Sequence, residues 1–510
     1  MSSDLQETAP PSPREVRIVF AGLMLALALA SLDQNIVAVA LPRIVSDLGG
    51  LHHLSWVVTS FLVTSTATTP LYGKLSDMYG RKPLFIIAIA VFLVGSCLCG
   101  LSRSMTQLVV FRGIQGLGAG GLMVLAQTTI ADLVAPRERG RYQGLFGAVF
   151  AISSVAGPLL GGFITSALSW RWIFYVNLPV GLPALAMIAY GFRRPHHKVS
   201  HRIDYTAVAL LTSATVALLL VLSWGGVQYP WSSPLILGLA MASVALIALL
   251  IRTERRSAEP VLSPHIFHNR TVVIASTVMG LAFMGIFGAF VFLPLFFQLV
   301  MGMDPAKAGL MLAPMTGGLI AASVIGGRLV SRTGRYKIFP VVGLGCASLS
   351  FIVVMWAAAS GGGVVVIASS LVVLGCGFGL VMPNLVVALQ NAVNSREQGA
   401  ATATAAFFRQ LGGTFGVAMS GAIMTAQLRS LHAEKWISSV KGGRALMEQG
   451  IQEIAALPPS QHEIVIAAYR HAISTTFLVG SVITALAFSL VLFLPEHPLR
   501  SRSSSPDPDV

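Results

Sequence analysis

The sequence predicts an all-α polytopic membrane protein. Of its 510 residues, 55% are hydrophobic and only 11% are charged, with a mean hydropathy of +0.76, whereas a soluble protein carries roughly 25% charged residues. The charges cluster between apolar runs of about twenty residues, the length needed to cross a hydrocarbon core of about 30 Å. Only helices and closed barrels satisfy their backbone hydrogen bonds in lipid, and these runs lack the alternation of barrel strands. The composition therefore excludes a soluble enzyme.

Fourteen transmembrane helices are predicted from the apolar runs. Their approximate ranges are 16–39, 54–75, 83–101, 105–129, 141–165, 172–192, 204–224, 233–251, 271–300, 306–329, 337–358, 363–387, 399–427 and 473–494.

The basic residues predict the orientation of these helices. With the N-terminus in the cytoplasm, 23 of the 34 Lys and Arg residues fall on the inside and 9 on the outside, while Arg112 and Arg409 lie within helices. This bias follows the positive-inside rule and predicts that both termini are cytoplasmic. Because the basic residues lie in loops and form no basic face, the net charge of +14 does not predict a nucleic-acid partner.

An internal repeat divides the helices into two units of six. Three pairs of segments carry the repeat: Gly73–Arg81 with Gly327–Arg335, Arg137–Gly140 with Arg396–Gly399, and Pro42 with Pro294. Each pair links a predicted helix to the one eight positions later, which keeps the orientation and predicts a parallel repeat about an axis along the membrane normal. Two bundles that rock about a central site are suited to moving a solute.

The repeat predicts the domain organisation. An N-terminal six-helix bundle occupies 16–195, a linker with two inserted helices 196–256, and a C-terminal six-helix bundle 265–495. The polar loop at 428–472 is predicted to face outside and to form short helices over the outer mouth. The cytoplasmic tails, 1–15 and 496–510, are rich in Ser and Pro, which predicts disorder.

Four segments resemble the motifs of a known family: Leu32–Pro42, Gly73–Pro83, Arg112–Gly120 and Gly157–Gly162. From about residue 17 to 495 the chain resembles the major facilitator superfamily, specifically its fourteen-spanner drug:proton antiporters of EmrB/QacA type. The resemblance implies a major facilitator fold with six, two and six helices. Asn35 and Ala38 depart from the family pattern, which has Thr and Asn there, and this departure bears on substrate choice.

The segment Gly73–Pro83 is the most specific of these motifs. Gly73 and Gly80 permit tight turning and close helix approach. Asp77 can pair with Arg81 four residues later and can attract the N-terminus of a facing helix. The resemblance implies that these four residues form a conformational latch, broken and remade as the cytoplasmic side opens.

The segment Gly157–Gly162 predicts a kinked, closely packed helix at the bundle interface. Pro158 removes one backbone hydrogen bond, and Gly157, Gly161 and Gly162 remove side chains from one stretch. The resemblance implies export rather than uptake from this motif. Ordinary small-residue packing is the alternative interpretation.

Three ionisable residues lie clearly inside predicted spans: Asp33, Arg112 and Arg409. Placing each of these side chains near mid-membrane costs about 2.5–3.5 kcal/mol of insertion free energy, so their presence indicates a function or a partner. Asp33 and Arg112 lie at similar depths, roughly 9–11 Å below the outer surface at about 1.5 Å per residue, and can meet if helices 1 and 4 adjoin. We predict that Asp33 carries a proton. Burial favours the protonated carboxyl group and Arg112 favours the charged carboxylate, and a site balanced between these effects can load and release a proton. A purely structural ion pair is the alternative.

Polar residues within the spans are candidates for the substrate pathway: Asn35, Gln115, Gln298 and Arg409. Gln115 lies one turn deeper than Arg112 and could extend its polar path. Arg409 lies near mid-depth and could contact substrate, Asp33 or polar groups between the bundles. The predicted helix at 399–427 contains no Asp or Glu. Family members that export multivalent organic cations often have an acidic residue in this helix, so strong dication specificity is not expected.

The predicted function is secondary active export of amphipathic small molecules, as in multidrug efflux by alternating access, driven by protons across a plasma membrane of the bacterial inner-membrane type. The closest alternative is export of one metabolite, lipid or siderophore; a channel also stays open. The sequence contains no HExxH, GxSxG or Walker A motif, which argues against an enzyme or an ATP-driven pump. No cofactor or metal is predicted, the expected partners are substrate, protons and the lipid bilayer, and a periplasmic adaptor is left open.

Overall fold

The computed structural model describes most of the chain as helices. The described residues are 13–48, 54–134, 136–191, 205–225, 229–254, 264–303, 305–394, 397–430 and 458–499. In chain order the α-helices are α1 Pro13–Leu48, α2 Leu54–Tyr79, α3 Arg81–Leu101, α4 Met105–Leu133, α5 Pro136–Ala167, α6 Trp172–Tyr175, α7 Asn177–Gly191, α8 Tyr205–Trp224, α9 Pro234–Glu254, α10 Arg270–Leu295, α11 Pro305–Leu310, α12 Ala313–Thr333, α13 Ile338–Ser360, α14 Val364–Asn391, α15 Gln398–Ser430 and α16 Pro459–Val491. Over these ranges the one strand-like pairing is a bridge between Gly225 and Tyr229.

Each predicted span coincides with helical structure, and the differences lie at breaks and ends. The span predicted at 172–192 is divided into α6 and α7, and that at 306–329 into α11 and α12. The span at 271–300 ends in a wider π-helical turn, Phe296–Val300, which begins two residues after Pro294. Proline lacks an amide hydrogen and disturbs the helical ladder at this place.

Within the residues that the structure describes, eleven helices are long and apolar enough to cross a membrane, and Thr206–Leu222 is a shorter apolar helix. The helices α2 and α15 are not among them, because Ser, Thr, Gln and Gly residues interrupt their apolar runs. These two helices lie side by side, one from each half of the chain.

Two hydrophobic cores correspond to the two halves of the repeat. One is built from buried residues between Val19 and Ile188, and the other from buried residues between Ile266 and Leu494. The inserted helices α8 and α9 pack together, and α8 also packs against both α2 and α15. It therefore lies along the seam between the bundles.

The repeat is visible in the backbone at the ends of α2 and α12. Gly80 follows α2 with a φ of 93°, and Gly334 follows α12 with a φ of 72°. These glycines are 254 residues apart, the offset of the surrounding motif. A left-handed conformation favours glycine, so the repeated motif requires one at both places.

Some predictions fall on residues beyond the described ranges. The predicted tail disorder concerns mainly 1–12 and 500–510, and the predicted short helices of the outer loop concern mainly 431–457. The end of that loop differs from the prediction, because α16 begins at Pro459 rather than near 473.

Candidate functional site

Asp33 of α1 lies in a hydrogen-bonded network inside the first bundle. Its side chain is fully buried, and its Oδ2 atom pairs with Nη1 of Arg112 of α4 at 2.5 Å. Its Oδ1 atom accepts hydrogen bonds from Gln115 Nε2 and from Asn177 Nδ2, both at 2.9 Å. Arg112 Nη1 also donates to Gln115 Oε1 at 2.8 Å. The structure thus joins the two ionisable residues that were predicted to meet.

Close packing of α4 sets the position of Arg112. Its Nε atom donates to the carbonyl oxygen of Val57 in α2 at 3.3 Å, and its guanidinium carbon lies 4.1 Å from the centre of the Phe61 ring. A Cβ atom on Gly116 would lie 2.5 Å from the Phe61 carbonyl oxygen, and one on Gly118 equally close to a backbone oxygen of α3. The glycines therefore allow α4 to approach both neighbours.

Asn177 and Ser96 belong to the same network and were not predicted. Asn177 Nδ2 donates to Ser96 Oγ at 2.9 Å, and Ser96 Oγ donates to the Phe174 carbonyl oxygen at 2.8 Å. Both side chains are uncharged, so a search for ionisable groups passes over them. The signal by which the sequence could have indicated Asn177 and Ser96 is that each is a polar residue within an apolar run.

The network compensates the charge of Asp33. One cation and two amide donors surround the buried carboxylate. Arg112 also has contacts to Val57 and Gln115 that do not involve Asp33.

A central cavity of about 710 Å³ lies between the two bundles, within the roughly 300–1,000 Å³ usual for sites of drug-sized molecules. Its lining combines α1, α2, α4 and α5 with α8, α10 and α15, and most of it is apolar. Aromatic side chains contribute from several helices: Phe150, Phe283, Phe287 and Phe292. Among the described residues that line the cavity, Arg409 alone is charged.

Arg409 lies in the cavity, but Asp33 does not. The Arg409 Nη2 atom contacts Met123 Sδ at 2.7 Å, and its guanidinium carbon lies 5.1 Å from the centre of the Phe283 ring. Of the three contacts considered for Arg409, the one with Asp33 is therefore not made in this structure. The Asp33 carboxylate instead points into the first bundle, towards Arg112.

Three predicted substrate-pathway residues are not part of the cavity lining: Asn35, Gln115 and Gln298. Asn35 Nδ2 donates to the Ser31 carbonyl oxygen at 2.7 Å, and Gln298 lies in the wide turn after α10. The amides that do line the cavity are Gln34 and Gln410. Successive residues of a helix point about 100° apart, so Gln34 and Asn35 serve different surfaces.

Asp77 connects the two bundles at one end, which we call the latch end. Its carboxylate accepts hydrogen bonds from the amides of Gly399 and Ala400, at 3.2 and 2.9 Å, at the start of α15. Its Oδ1 atom pairs with Arg81 Nη1 at 2.5 Å. Arg81 Nε also pairs with Asp132 at 2.9 Å, an acid that was not predicted. A carboxylate thus meets the positive end of a helix dipole.

A neutral counterpart of this contact lies at the repeat-related position. Ser331 is 254 residues after Asp77, and Arg141 is 259 residues before Ala400. The Arg141 amide donates to Ser331 Oγ at 3.2 Å. The same contact therefore occurs twice at the latch end, once with a carboxylate and once with a hydroxyl.

Glycines allow the bundles to meet at the latch end. A Cβ atom on Gly73 would lie 2.7 Å from the Gly399 carbonyl oxygen, and one on Gly140 would lie 2.6 Å from the Gly327 carbonyl oxygen. These pairs join α2 to α15 and α5 to α12. On α2 the cavity lining ends at Thr69, so the bundles are closed at the latch end and separated beyond it.

The helix 5 motif packs on α1 of the first bundle, while α5 also packs against α12 and α14 of the second bundle. A Cβ atom on Gly157 would lie 2.5 Å from Asn35 Cβ, and one on Gly161 would lie 2.9 Å from the Ile36 carbonyl oxygen. Both partners belong to α1. Gly162 has no such neighbour within 4 Å, and Pro158 lies within the continuous α5.

Substituting Gly157 should therefore affect stability more than substituting Gly162. We expect Gly157→Ala to lower the free energy of unfolding by about 1–3 kcal/mol, because it overpacks the contact with α1. Gly162→Ala should leave it unchanged or raise it slightly. Thermal unfolding of the purified variants measures both. Equal midpoints for the two variants would contradict the assigned packing.

Metal ligands do not cluster in the part of the chain that the structure covers: groups of three or more His, Cys, Asp or Glu are absent there. The four cysteines are free.

Comparison with known proteins identifies the family. The family model of the Major Facilitator Superfamily matches residues 23–417. Multidrug transporter protein MdtP of Bacillus subtilis (strain 168) is 37% identical over 421 residues, which cover 82% of this chain and 77% of that protein. Multidrug resistance protein 3 of the same strain is 33% identical over 499 residues, which cover 96% and 97%.

Solved structures show the same fold at low sequence identity. The human organic anion transporter MFSD10 superimposes with a TM-score of 0.62 at 17% identity, covering 94% of this chain and all of that chain (100%). The proton:xylose symporter XylE superimposes with a TM-score of 0.64 at 15% identity, covering 95% and 96%. The paired bundles, the family match and the similar relatives together establish that the chain is a multi-pass membrane protein that belongs to the Major Facilitator Superfamily.

Proposed function

We propose that the chain is a proton-coupled antiporter that exports amphipathic small molecules across the plasma membrane, as a multidrug efflux transporter. We further propose that fourteen helices cross the membrane and that both termini are cytoplasmic. Relatives named as multidrug transporters support the export function. The observation that carries the proton coupling is the fully buried Asp33 carboxylate, held by Arg112 and two amides.

The helix α1 connects the proton site to the cavity. Asp33 faces the interior of the first bundle, while Ser31 and Gln34 line the cavity. Arg112 Nε also donates a hydrogen bond to the carbonyl oxygen of Val57 in α2. The next two residues of α2, Val58 and Thr59, line the cavity as well. A proton on Asp33 would loosen Arg112 and so alter both helices that form this wall.

The position of the latch end supports one assignment of this conformation within the proposed transport cycle. With a cytoplasmic N-terminus, the latch end is cytoplasmic and the cavity belongs to the outward-facing state. Asp33 then takes up a proton after the substrate leaves to the outside, and the Asp77 contacts break as the cytoplasmic side opens. Release of the proton to the cytoplasm and binding of new substrate complete an export cycle by alternating access.

Loss of the Asp77 charge should shift the conformational equilibrium. In Asp77→Asn the amides of α15 lose an anionic partner, worth about 0.3–1 kcal/mol at a helix N-terminus and up to about 2 when partly buried. We expect a larger fraction of molecules open at the latch end, measured by cysteine accessibility there. Ser331→Ala removes the neutral counterpart and should have the smaller effect. An equal or larger effect of Ser331→Ala would contradict this account.

Proteoliposomes with an imposed pH gradient test the proposed function. Suitable probes are three naphthalene compounds with permanent or stable charge states: naphthalene sulfonate, naphthalene sulfonamide and trimethyl(naphthyl)ammonium. We expect at least one of them to move against its gradient with counter-movement of protons, and to stop when nigericin collapses the pH gradient. Protein-dependent movement that is indifferent to the pH gradient would contradict proton coupling, and no movement of any probe would contradict multidrug export.

A further inference from the structure

We propose that the central cavity binds the anionic head of an amphipathic substrate, with Arg409 as its counter-ion. This inference rests on the proposed export function and specifies the substrate class. It depends on how Arg409 is surrounded, on the chemistry of the rest of the lining, and on the contrast with Arg81 and Arg112.

Arg409 is a cation in the membrane interior that has no carboxylate partner among the described residues. Its Nη2 atom lies 2.7 Å from the thioether sulfur of Met123, and its guanidinium carbon lies 5.1 Å from the centre of the Phe283 ring. A charge in this setting is costly unless a partner compensates it. Neither contact supplies a formal negative charge, so an anion in the cavity would give Arg409 the counter-ion that the described residues do not.

Two other buried arginines have acidic partners, and a third, Arg139, donates to the backbone carbonyl oxygens of Val134 and Ala131. Arg112 pairs with Asp33 at 2.5 Å, and Arg81 pairs with Asp77 and Asp132 at 2.5 and 2.9 Å. Each of these three guanidinium groups is therefore held by oxygen atoms of the protein. Arg409 has no such oxygen partner among its contacts given above, and it faces a cavity that a ligand could enter.

The rest of the lining suits the body of an amphipathic anion and does not suit a cation. The described lining contains no Asp or Glu, so a cationic head would face Arg409 with nothing to compensate either charge. Phe283 and Phe287 stack with ring centres 5.8 Å apart and offer an aromatic wall beside the guanidinium. A planar guanidinium can bind a carboxylate or sulfonate with two parallel hydrogen bonds.

Neutral polar groups beside Arg409 complete the head-group side of the cavity. Gln410 follows it in α15 and donates from Nε2 to Ser65 Oγ of α2 at 3.1 Å. Thr414 and Gln34 also line the cavity. Polar side chains from both bundles thus line the same cavity as Arg409, together with the phenyl rings.

Binding of the three naphthalene probes to the full-length protein in lipid nanodiscs tests the inference. In wild type we expect naphthalene sulfonate to bind more tightly than the sulfonamide, and trimethyl(naphthyl)ammonium to bind most weakly. Arg409→Gln should weaken the sulfonate by about ten- to a hundredfold, the range for a hydrogen bond to a charged group, and leave the ammonium probe unchanged or tighter. Arg409→Lys keeps the charge and should keep the preference for the anion.

The control is Arg252→Gln, which removes an exposed charge from α9 and should change no affinity. Tighter binding of the ammonium probe than of the sulfonate by wild type, or an unchanged sulfonate affinity in Arg409→Gln, would overturn the inference. Transport distinguishes it from the proposed function. Proton-driven transport of the ammonium probe alone overturns the anion site and leaves export standing, whereas Arg409-dependent sulfonate binding without any transport supports the site and contradicts export.

Discussion

Replacing Asp33 by asparagine is expected to abolish transport driven by a pH gradient while leaving folded protein in the membrane. The amide is nearly isosteric, and its oxygen can still accept a hydrogen bond from Arg112, so the network keeps most of its packing. It can neither bind nor release a proton at neutral pH. The variant resembles the protonated state permanently, so it should bind substrate more weakly, and downhill movement of substrate at saturating concentration should occur without proton movement.

The assay is the proteoliposome experiment, run once with a pH gradient and once with a substrate gradient alone. Asp47→Asn is the matched control, because it makes the same change on the same helix at an exposed position. There the Trp170 Nε1 atom donates to the carboxylate at 2.8 Å, and an asparagine oxygen can accept that bond. Proton-driven accumulation at the wild-type rate in Asp33→Asn would exclude Asp33 as the proton carrier.

Adding one methyl group at Gly327 is expected to prevent closure at the latch end. A Cβ atom there would overlap the carbonyl oxygen of Gly140 on the facing helix. Because the obstruction is backbone, no side chain can move aside, and α5 and α12 must separate. We expect Gly327→Ala to lose most of its transport and to populate conformations open at the latch end.

Spin labels at Glu138 and Arg332, exposed near the latch ends of α5 and α12, measure this separation. The matched control is Gly317→Ala in the same helix, where a Cβ atom meets nothing within 4 Å. That variant should keep wild-type distances and transport. Unchanged distances in Gly327→Ala would mean that the helices adjust without opening, and would contradict the assigned closure.

The features that depend on charge and repeats could be predicted from the sequence. Asp33 and Arg112 stand out because ionisable residues are rare in apolar runs, and their equal depths predict a pairing if helices 1 and 4 adjoin. Asp77 stands out because an acid lies between two glycines in a repeated motif. In each case the signal is local or periodic, and the membrane restricts what surrounds it.

The features that depend on helix rotation and on neutral partners could not be predicted. Asn177 completes the hydrogen-bonded network of Asp33, and Ser331 completes the second latch contact, but a single amide or hydroxyl has no distinctive pattern. Whether Gln34 or Asn35 faces the cavity depends on the rotation of α1, which hydropathy fixes poorly in a helix buried on several sides. For the same reason, the sequence predicted that α5 lies at the bundle interface, but not that the glycines of the motif starting at Gly157 face α1.

The most direct test of the central claim is proton release on substrate binding. If substrate binding and Asp33 protonation oppose each other, linkage requires that adding substrate to the partly protonated protein releases protons. We predict release from wild type in weakly buffered nanodiscs, measured with a pH-sensitive dye and whichever naphthalene probe binds, and none from Asp33→Asn at saturating probe. Equal release from the two proteins would contradict the account, because the coupling proton would then reside on another group.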